Sequence, residues 1–332
     1  MSEKMALRSD SVAELVPFGI EPEISPRPWG FRDLRPWYDR VAEGEPIGEM
    51  WLTGDDCRVS TGPHAGKRLA ALFAEAHEAL LGEGAPSADS PLLIKTIFAR
   101  EKLSVQVHPD DKMAQKYGDP RGKTECWYVL AAEPGAEVAL GVKPGTTLAQ
   151  IEEEIHAGTL EASLNAVPLA TGDMIFVDAG TIHAIWPGSI LLETQQNCDL
   201  TYRMFDYGRG RELHIAKALE ATKLTTRSGK IAPRRQADRF VLVDSDYFCV
   251  ERVPVEGSRT SENLRGGEKP GLAYLFAAAG TGRLSGAGFE PVELPPRGIV
   301  AVPAASPEFV LEGEGGPGEK LDLIRITPNW PG

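Results

Sequence analysis

The chain has 332 residues, of which 42% are hydrophobic and 25% charged, and its formal net charge is −13. This composition is typical of a globular protein with a sizeable core, whereas the acidic balance and the lack of a basic tract argue against nucleic-acid binding. No apolar run reaches the roughly 20 residues that span a bilayer, and four cysteines without metal-type spacing, in a chain without a secretory leader, predict a reduced cytoplasmic protein.

Most of the predicted elements are short strands, because 35 glycines and 26 prolines are scattered along the chain at turn positions. Apolar periodicity predicts four helical segments, the second of them a short helix followed by a loop, at 66–82, 110–123, 146–164 and 213–224. In the third segment we expect the buried stripe to consist of Leu148, Ile151 and Ile155. Strand patterns occur at 92–99, 102–108, 124–132, 136–142 and twice within 173–186.

The second part of the chain has a different pattern. A polar stretch at 225–239 is predicted to be a linker, and beyond it almost every apolar run is typical of a short strand. The two halves therefore look like two copies of one all-β type, the first with inserted helices. We expect three parts: a tail at 1–15, a first domain at 16–230 and a second domain at 231–332.

The stretch SVQVHPDD contains polar residues that alternate with apolar ones. Because strand side chains alternate between two faces, Gln106 and His108 would lie on one face, about 7 Å apart. The opposite, buried face would carry Leu103, Val105 and Val107. The polar pair is either a solvent-facing strand edge or half of a metal site. The Pro-Asp-Asp that follows is interpreted as the stop signal of the strand.

Two further segments offer partners for a metal. In KTECWYVL, alternation places Lys123, Glu125 and Trp127 on one face of a strand. Cys126 lies on the opposite face and is a poor ligand candidate. His183 follows a glycine turn in AGTIHAIW, where a strand can deliver a ligand into a barrel mouth. Imidazole, carboxylate and amide groups with one open position suit Zn²⁺.

Two of these motifs resemble those of the cupin superfamily. GDMIFVDAGTIH resembles the second cupin motif, and QVH resembles the first, with Gln106 where that motif has its first histidine. The resemblance implies a mainly β fold with two cupin-like antiparallel β-sandwich or barrel (jelly-roll) domains, the first with a few inserted helices.

A more specific resemblance rests on four motifs together: PLLIKTIFAREKLSVQVHPDD, KTECWYVL, GDMIFVDAGTIHAI and DLTYRMFDYGR. They resemble the type I phosphomannose isomerases, in the short bacterial form, and PWG and IGEMW are similar to that family's N-terminal motifs. The resemblance covers roughly residues 22–225. It implies that 16–230 form the catalytic cupin domain and that 231–332 form a cupin-like domain without a metal site.

The resemblance also assigns residues to roles. The family's metal ligands would be Gln106, His108, Glu125 and His183. Its catalytic residues would be Glu49, Lys123, Asp199 and Arg203. Its substrate and phosphate contacts would be Trp29, Lys95, Ser104 and Arg203. Two other cations of the segment, Arg209 and Arg211, are expected to be solvated.

The implied reaction interconverts mannose 6-phosphate and fructose 6-phosphate through an enediol(ate), with a proton moved between C1 and C2. It would use one Zn²⁺ per chain, another divalent metal being the alternative, to stabilise charge at the carbonyl. The acid–base group would be Asp199, Glu49 or Lys123, and the sequence does not choose among them. Arg203, Lys95 and Ser104 would hold the phosphate.

Other functions stay open on sequence alone. They are another sugar-phosphate isomerase, a metal cupin such as an iron dioxygenase, and a non-catalytic sugar-phosphate-binding cupin. Gln106 with Glu125, in place of a histidine-rich set, favours a redox-inert ion. We expect a small-molecule sugar phosphate as partner, no nucleic acid and no membrane, and a monomer or homodimer.

Overall fold

Antiparallel sheets form the scaffold of the protein in the computed structural model, which describes residues 15–85, 89–265, 271–314 and 320–330. The strands in chain order are Phe18–Glu21 (β1), Glu23–Phe31 (β2), Ile47–Trp51 (β3), Arg58–Val59 (β4), Leu92–Ala99 (β5), Val105–Val107 (β6), Glu125–Ala132 (β7), Glu137–Val142 (β8), Leu164–Pro168 (β9), Met174–Val177 (β10), His183–Ile185 (β11), Ser189–Gln196 (β12), Tyr202–Phe205 (β13), Gly229–Ile231 (β14), Arg234–Gln236 (β15), Arg239–Asp244 (β16), Phe248–Val255 (β17), Ser258–Thr260 (β18), Ala273–Ala279 (β19), Thr281–Gly286 (β20), Phe289–Leu294 (β21), Ile299–Val302 (β22), Phe309–Glu314 (β23) and Leu321–Pro328 (β24). The helices are Leu69–Leu81 (α1), Asp111–Lys116 (α2), Leu148–Ala157 (α3), Ile215–Ala221 (α4) and Ser261–Arg265 (α5), with a 3₁₀ turn at Leu160–Ser163.

The strands assemble into two modules of two sheets each. The first module has a seven-stranded sheet, in the order β14-β10-β7-β12-β5-β3-β2, and a five-stranded sheet, in the order β13-β6-β11-β8-β9. The second module has an eight-stranded sheet, in the order β15-β16-β17-β24-β19-β22-β1-β4, and a four-stranded sheet, in the order β18-β23-β20-β21. This is the mainly β, antiparallel architecture that the sequence predicts. No helix within the described residues is long and apolar enough to cross a membrane.

The central strand β5 illustrates why the seven-stranded sheet is apolar on both faces. All eight residues of LLIKTIFA are buried. Ile97 packs inside the first module with Trp127, whereas Ile94 faces the other way. Because both faces are covered, the strand is a nearly continuous apolar run, and Lys95 is its single charged residue.

The outer face of the seven-stranded sheet packs on the eight-stranded sheet of the second module. One core cluster joins Tyr128 and Leu192 of the first module to Phe276 and Ile324 of the second. Strand β1 precedes the first module in the chain but belongs to the eight-stranded sheet of the second module, where Phe18 pairs with Ala301 of β22. The two modules therefore share a core, although the division at residue 230 stays a prediction.

Several predicted boundaries differ from the observed ones. The strand expected at 102–108 begins only at Val105, and the helix expected at 146–164 ends at Ala157, because Gly158 adopts a left-handed φ of 71°. Residues after it form the 3₁₀ turn and β9. Leu148, expected in the buried stripe, is 41% exposed because it is the first residue of α3 and lies beyond the packed face.

Two further expectations concern the termini of the domains. The predicted linker at 225–239 contains two strands. β14 pairs with β10 in the seven-stranded sheet of the first module, and β15 pairs with β16 in the eight-stranded sheet of the second. The sequence analysis missed both strands because they lie at sheet edges and consist largely of polar residues. The predicted tail at 1–15 lies outside the described residues apart from Leu15, which is buried.

The shared core predicts a large effect for Phe276→Ala. Phe276 is fully buried, so its truncation should lower the free energy of unfolding by about 3–5 kcal/mol. Urea unfolding followed by tryptophan fluorescence measures the loss and reports mainly on the first module, where Trp127 lies. The control is Leu148→Ala at an exposed position, with an expected change under about 0.5 kcal/mol. A fluorescence transition unmoved by Phe276→Ala would contradict the shared core.

Candidate metal centre and active-site cleft

Two histidines and a glutamate converge between the two sheets of the first module. His183 of β11 pairs in register with Gln106 of β6 in the five-stranded sheet, and Glu125 faces them from β7 of the seven-stranded sheet. His108 Nε2 lies 3.5 Å from Glu125 Oε2, and His183 Nε2 lies 3.5 Å from Glu125 Oε1. All three residues are buried, and their ligand atoms lie within 4.8 Å of one another.

The outer nitrogens of both imidazoles are held by backbone carbonyls. His108 Nδ1 donates to the Leu200 carbonyl at 2.8 Å, and His183 Nδ1 donates to the Thr181 carbonyl at 2.9 Å. Burial and the Lys123 ammonium lower the pKa of His108 well below its usual value. Burial lowers the pKa of His183 to about 4. Both rings are therefore neutral, with their Nε2 lone pairs facing Glu125, as metal-ligating histidines require.

Gln106 contributes an amide to the same point. Its Nε2 lies 3.4 Å from His108 Nε2 and 3.3 Å from His183 Nε2, while Ser104 Oγ lies 3.2 Å from its Oε1. The two ends of an amide are exchangeable by a half-turn of the group. After that turn the oxygen would face the histidines, and the nitrogen would donate to Ser104. Gln106 can thus supply a fourth, neutral ligand atom.

The types of donor atom fit a divalent cation. Glu125 is buried, and its Oε2 has no hydrogen-bond partner among the described residues, with Lys123 Nζ 3.4 Å away. A buried carboxylate is costly unless it is paired or binds a metal, so this oxygen is available to a metal ion. The donor set of two imidazoles, one carboxylate and one amide oxygen therefore fits a divalent metal of the zinc type.

The buried lysines connect the metal centre to the neighbouring strands. Lys95 Nζ lies 3.1 Å from Glu193 Oε1 and 3.7 Å from Glu49 Oε1, and Lys123 Nζ lies 3.4 Å from Glu125 Oε2. Burial alone would lower the pKa of Lys95, but the carboxylates of Glu193 and Glu49 outweigh it and raise that pKa above its usual value. Lys95 is thus permanently charged and lies between two carboxylates in a row of alternating buried charges.

Glu193 belongs to this row of buried charges, and the sequence analysis missed it. It lies in β12 directly opposite Lys95 and accepts a hydrogen bond from Trp127 Nε1 at 3.1 Å. Burial and the nearby Glu125 raise the pKa of Glu193. A signal was present, because a glutamate that directly follows the apolar residues ILL must be paired if that strand is buried.

A cleft of about 570 Å³ opens above the metal centre. Its walls contain nine of the residues that the sequence assigned to the site: Trp29, Glu49, Lys95, Ser104, Gln106, Lys123, Glu125, Asp199 and Arg203. Arg27, which the sequence analysis did not single out, also lines the cleft and lies 3.0 Å from Glu49. Trp51 Nε1 donates to the same carboxylate at 2.7 Å.

Arg203 lies in β13 beside Gln106, at the edge of the five-stranded sheet. Its Nη1 donates to the Glu212 carbonyl at 2.9 Å, while its Nε is buried without a partner. Burial and the neighbouring Arg211 lower the pKa of Arg203. His214, at the start of α4, receives the Arg203 backbone N–H on Nδ1 at 3.3 Å. At least one N–H of the Arg203 guanidinium thus has no partner and can donate to a ligand at the cleft wall.

The surroundings of three residues differ from those that the sequence predicts. Arg209 and Arg211 were expected to be solvated, but the buried carboxylate of Asp206 draws both inward, at 3.4 Å and 2.5 Å. Arg211 also lines the cleft. Leu103 is buried as expected, but it lines the cleft and packs in a different cluster from Val105, because regular alternation begins only where β6 begins.

Comparison with known proteins gives a consistent result over most of the chain. Residues 33–149 match the family model described as phosphomannose isomerase type I, catalytic domain. The protein of Bacillus subtilis named "Probable mannose-6-phosphate isomerase GmuF" is 32% identical over 316 residues, which cover 90% of this chain and 96% of that protein. The mannose-6-phosphate isomerase of Streptococcus mutans is 33% identical over 288 residues, or 81% of this chain and 87% of its own.

The fold is also similar to that of a solved structure. The crystal structure of the mannose 6-phosphate isomerase from Bacillus subtilis superimposes with a TM-score of 0.81 at 28% sequence identity. The match covers 94% of this chain and 99% of that one. The similarity therefore extends over both modules.

The row of buried charges predicts the effect of Lys95→Met. The substitution keeps much of the apolar length but removes the cation between Glu193 and Glu49, so the free energy of unfolding should fall by about 3–5 kcal/mol. Urea denaturation of the chelated protein measures this loss without a contribution from bound metal. Adding Glu193→Gln should recover part of the stability, because it removes the carboxylate that has lost its closest cation. Failure of the second substitution to recover any stability would contradict the pairing.

Proposed function

Because the chain belongs to the type I phosphomannose isomerase family, we propose that it interconverts mannose 6-phosphate and fructose 6-phosphate with the help of a divalent metal. The observation that carries this proposal is the buried cluster of His108, Glu125 and His183 at the base of a cleft. The reaction proceeds through an enediol(ate), with a proton moved between C1 and C2.

The metal is proposed to be one Zn²⁺ per chain. Imidazole and carboxylate ligands suit this ion. The residues that would hold it are Gln106, His108, Glu125 and His183. When bound, the cation supplies a Lewis acid for negative charge that develops on a substrate oxygen. The carbonyls of Leu200 and Thr181 keep the two imidazoles in the tautomer that ligation requires.

Proton transfer needs a carboxylate or amine that can reach C1 and C2. Glu49, Lys123 and Asp199 all line the cleft. Both oxygens of Glu49 already face donors, Arg27 and Trp51 on one and Lys95 on the other. This favours orientation of the substrate by Glu49 and assigns the mobile proton to Asp199, which is exposed to the cleft. Lys123, next to Glu125, would stabilise charge beside the metal centre.

The phosphate is proposed to bind Arg203, whose buried Nε lacks a partner, together with the Ser104 hydroxyl. Lys95 was also assigned to the phosphate from sequence. Because Glu193 and Glu49 already neutralise it, we assign Lys95 to holding those carboxylates in place. Trp29, buried in the cleft wall, would bound the space for the sugar ring.

The cytoplasm is the proposed site of action. The four cysteines are free thiols, of which Cys57 and Cys126 are buried. Free thiols are typical of a reducing compartment, where sugar phosphates are also retained as charged molecules.

Metal removal tests the proposed chemistry. Chelation should abolish turnover of mannose 6-phosphate, and stoichiometric Zn²⁺ should restore it. His183→Ala should lower kcat at least about 100-fold, because loss of a ligand exceeds the effect of losing an outer hydrogen bond. His156→Ala, at an exposed helix position, is the control and should leave kcat unchanged. Full activity of the completely demetallated protein would exclude the metal-dependent reaction.

Arg203→Ala tests the phosphate contact. Loss of a charge-assisted hydrogen bond is worth about 1.5–3 kcal/mol, so kcat/KM for mannose 6-phosphate should fall about 10- to 150-fold. Arg227→Ala removes an exposed arginine that pairs with Asp178 and serves as the matched control. Steady-state kinetics with the phosphorylated sugar provide the measurement. Values within twofold of the parent protein would show that Arg203 does not bind the phosphate.

A further inference from the structure

Asp111 forms a hydrogen-bond hub that the proposed chemistry leaves without a role. It is the last residue of SVQVHPDD and begins helix α2. Its Oδ1 accepts the Gly122 N–H at 2.7 Å and the Gln196 side chain at 2.9 Å. The chain passes so closely here that a Cβ on Gly122 would lie 2.5 Å from the Pro109 carbonyl oxygen. Asp111 therefore ties the end of the His108 segment to the segment that leads into β7.

Gln196, the second partner of Asp111, holds the backbone between Lys123 and Glu125. Gln196 Oε1 accepts the Thr124 N–H at 2.9 Å, and the Gln196 N–H donates to the Thr124 carbonyl at 3.1 Å. Thr124 lies between Lys123 and Glu125, so both of its backbone groups are held at the point where these side chains enter the cleft. Asp111 and Gln196 thus fix the position of one predicted ligand and one predicted cation.

The remaining oxygen of Asp111 is held from the other module. Tyr247 lies in the turn between β16 and β17 of the second module, and its hydroxyl donates to Asp111 Oδ2 at 3.0 Å. Both backbone groups of Tyr247 are hydrogen-bonded, because Ser245 Oγ accepts its N–H and the Asn329 N–H donates to its carbonyl at 2.8 Å. Burial and Asp111 raise the pKa of Tyr247, so the hydroxyl remains a donor.

We propose that Tyr247 is a positioning residue for the active site, through which the second module holds Asp111 and thereby the backbone of Lys123 and Glu125. With both oxygens engaged, the Asp111 carboxylate has one orientation. Without Tyr247, the carboxylate can rotate about its terminal bond, and its two bonds to Gly122 and Gln196 lose their fixed geometry. The second module would then have a function in the reaction beyond packing. This inference rests on the proposed isomerase function.

The test is Tyr247→Phe, which keeps the ring and removes only the hydroxyl. In folded protein, checked by near-ultraviolet circular dichroism, kcat should fall about threefold to tenfold while KM stays within about twofold. The affinity for Zn²⁺, measured by competition with a chelator, should weaken by a similar factor because Glu125 is less well placed. A residue that only stabilised the fold would leave both quantities unchanged in folded protein.

The matched control is Tyr117→Phe. Tyr117 also donates to a carboxylate, Glu220 Oε2 at 2.6 Å, but at an exposed position directly after α2. Its kcat and Zn²⁺ affinity should not change. In an Asp111→Asn background, Tyr247→Phe should cost less than about twofold, because the two residues act through one interaction. If Asp111→Asn does not fold, the values for Tyr247→Phe alone decide.

Two outcomes would overturn the inference: unchanged kcat and Zn²⁺ affinity in Tyr247→Phe, or an equal loss in the Asp111→Asn background. Failure of the proposed function is recognised separately, since the parent protein would then bind Zn²⁺ without turning over mannose 6-phosphate. In that case the chelator competition still tests the role of Tyr247.

Discussion

The pairing of charges buried between the two sheets is the constraint on which the rest of the first module depends. The carboxylates of Glu49, Glu125 and Glu193 are balanced by the ammonium groups of Lys95 and Lys123 and by the partly exposed Arg27, which lies 3.0 Å from Glu49. Such an arrangement is stable only while the surrounding structure enforces the pairing. The two neutral imidazoles add no charge of their own, and their Nε2 atoms are suited to binding a cation.

The pairing of the β-strands holds these buried charges beside their partners. Strand β5 places Lys95 directly opposite Glu193 of β12, so the pairing of the strands and the pairing of the charges have the same register. A slip of one residue in either strand would turn its side chain to the other face and separate Lys95 from Glu193. Apolar residues on both faces of the seven-stranded sheet fix that register, and the second module covers one of those faces. The shared core thus contributes to the electrostatics of a cleft that it does not line.

Strict alternation made part of the site predictable from sequence, and the loss of alternation explains what was missed. Gln106 and His108 share a face because they belong to, or directly follow, the same short strand. Leu103 precedes that strand, so the same rule misplaced it. The position of Glu193 in a predicted buried strand signals that it needs a partner, but only the strand pairing identifies that partner as Lys95. Asp206 lies only three and five residues before the two arginines that it draws in, but the sequence does not show that its carboxylate is buried.

The nature of the ligands decides what the cluster can do once an ion is bound. Two imidazoles and one amide carry no charge, so only Glu125 reduces the charge of a divalent cation within this set. Within this set the ion and Glu125 would together carry one net positive charge, whereas a second carboxylate in place of Gln106 would cancel it. A net positive charge favours an anionic substrate and the negative oxygen of an enediolate in a chain whose overall charge is −13. A neutral glutamine at position 106 would therefore preserve the positive charge that attracts a sugar phosphate, and Arg203 would add to it.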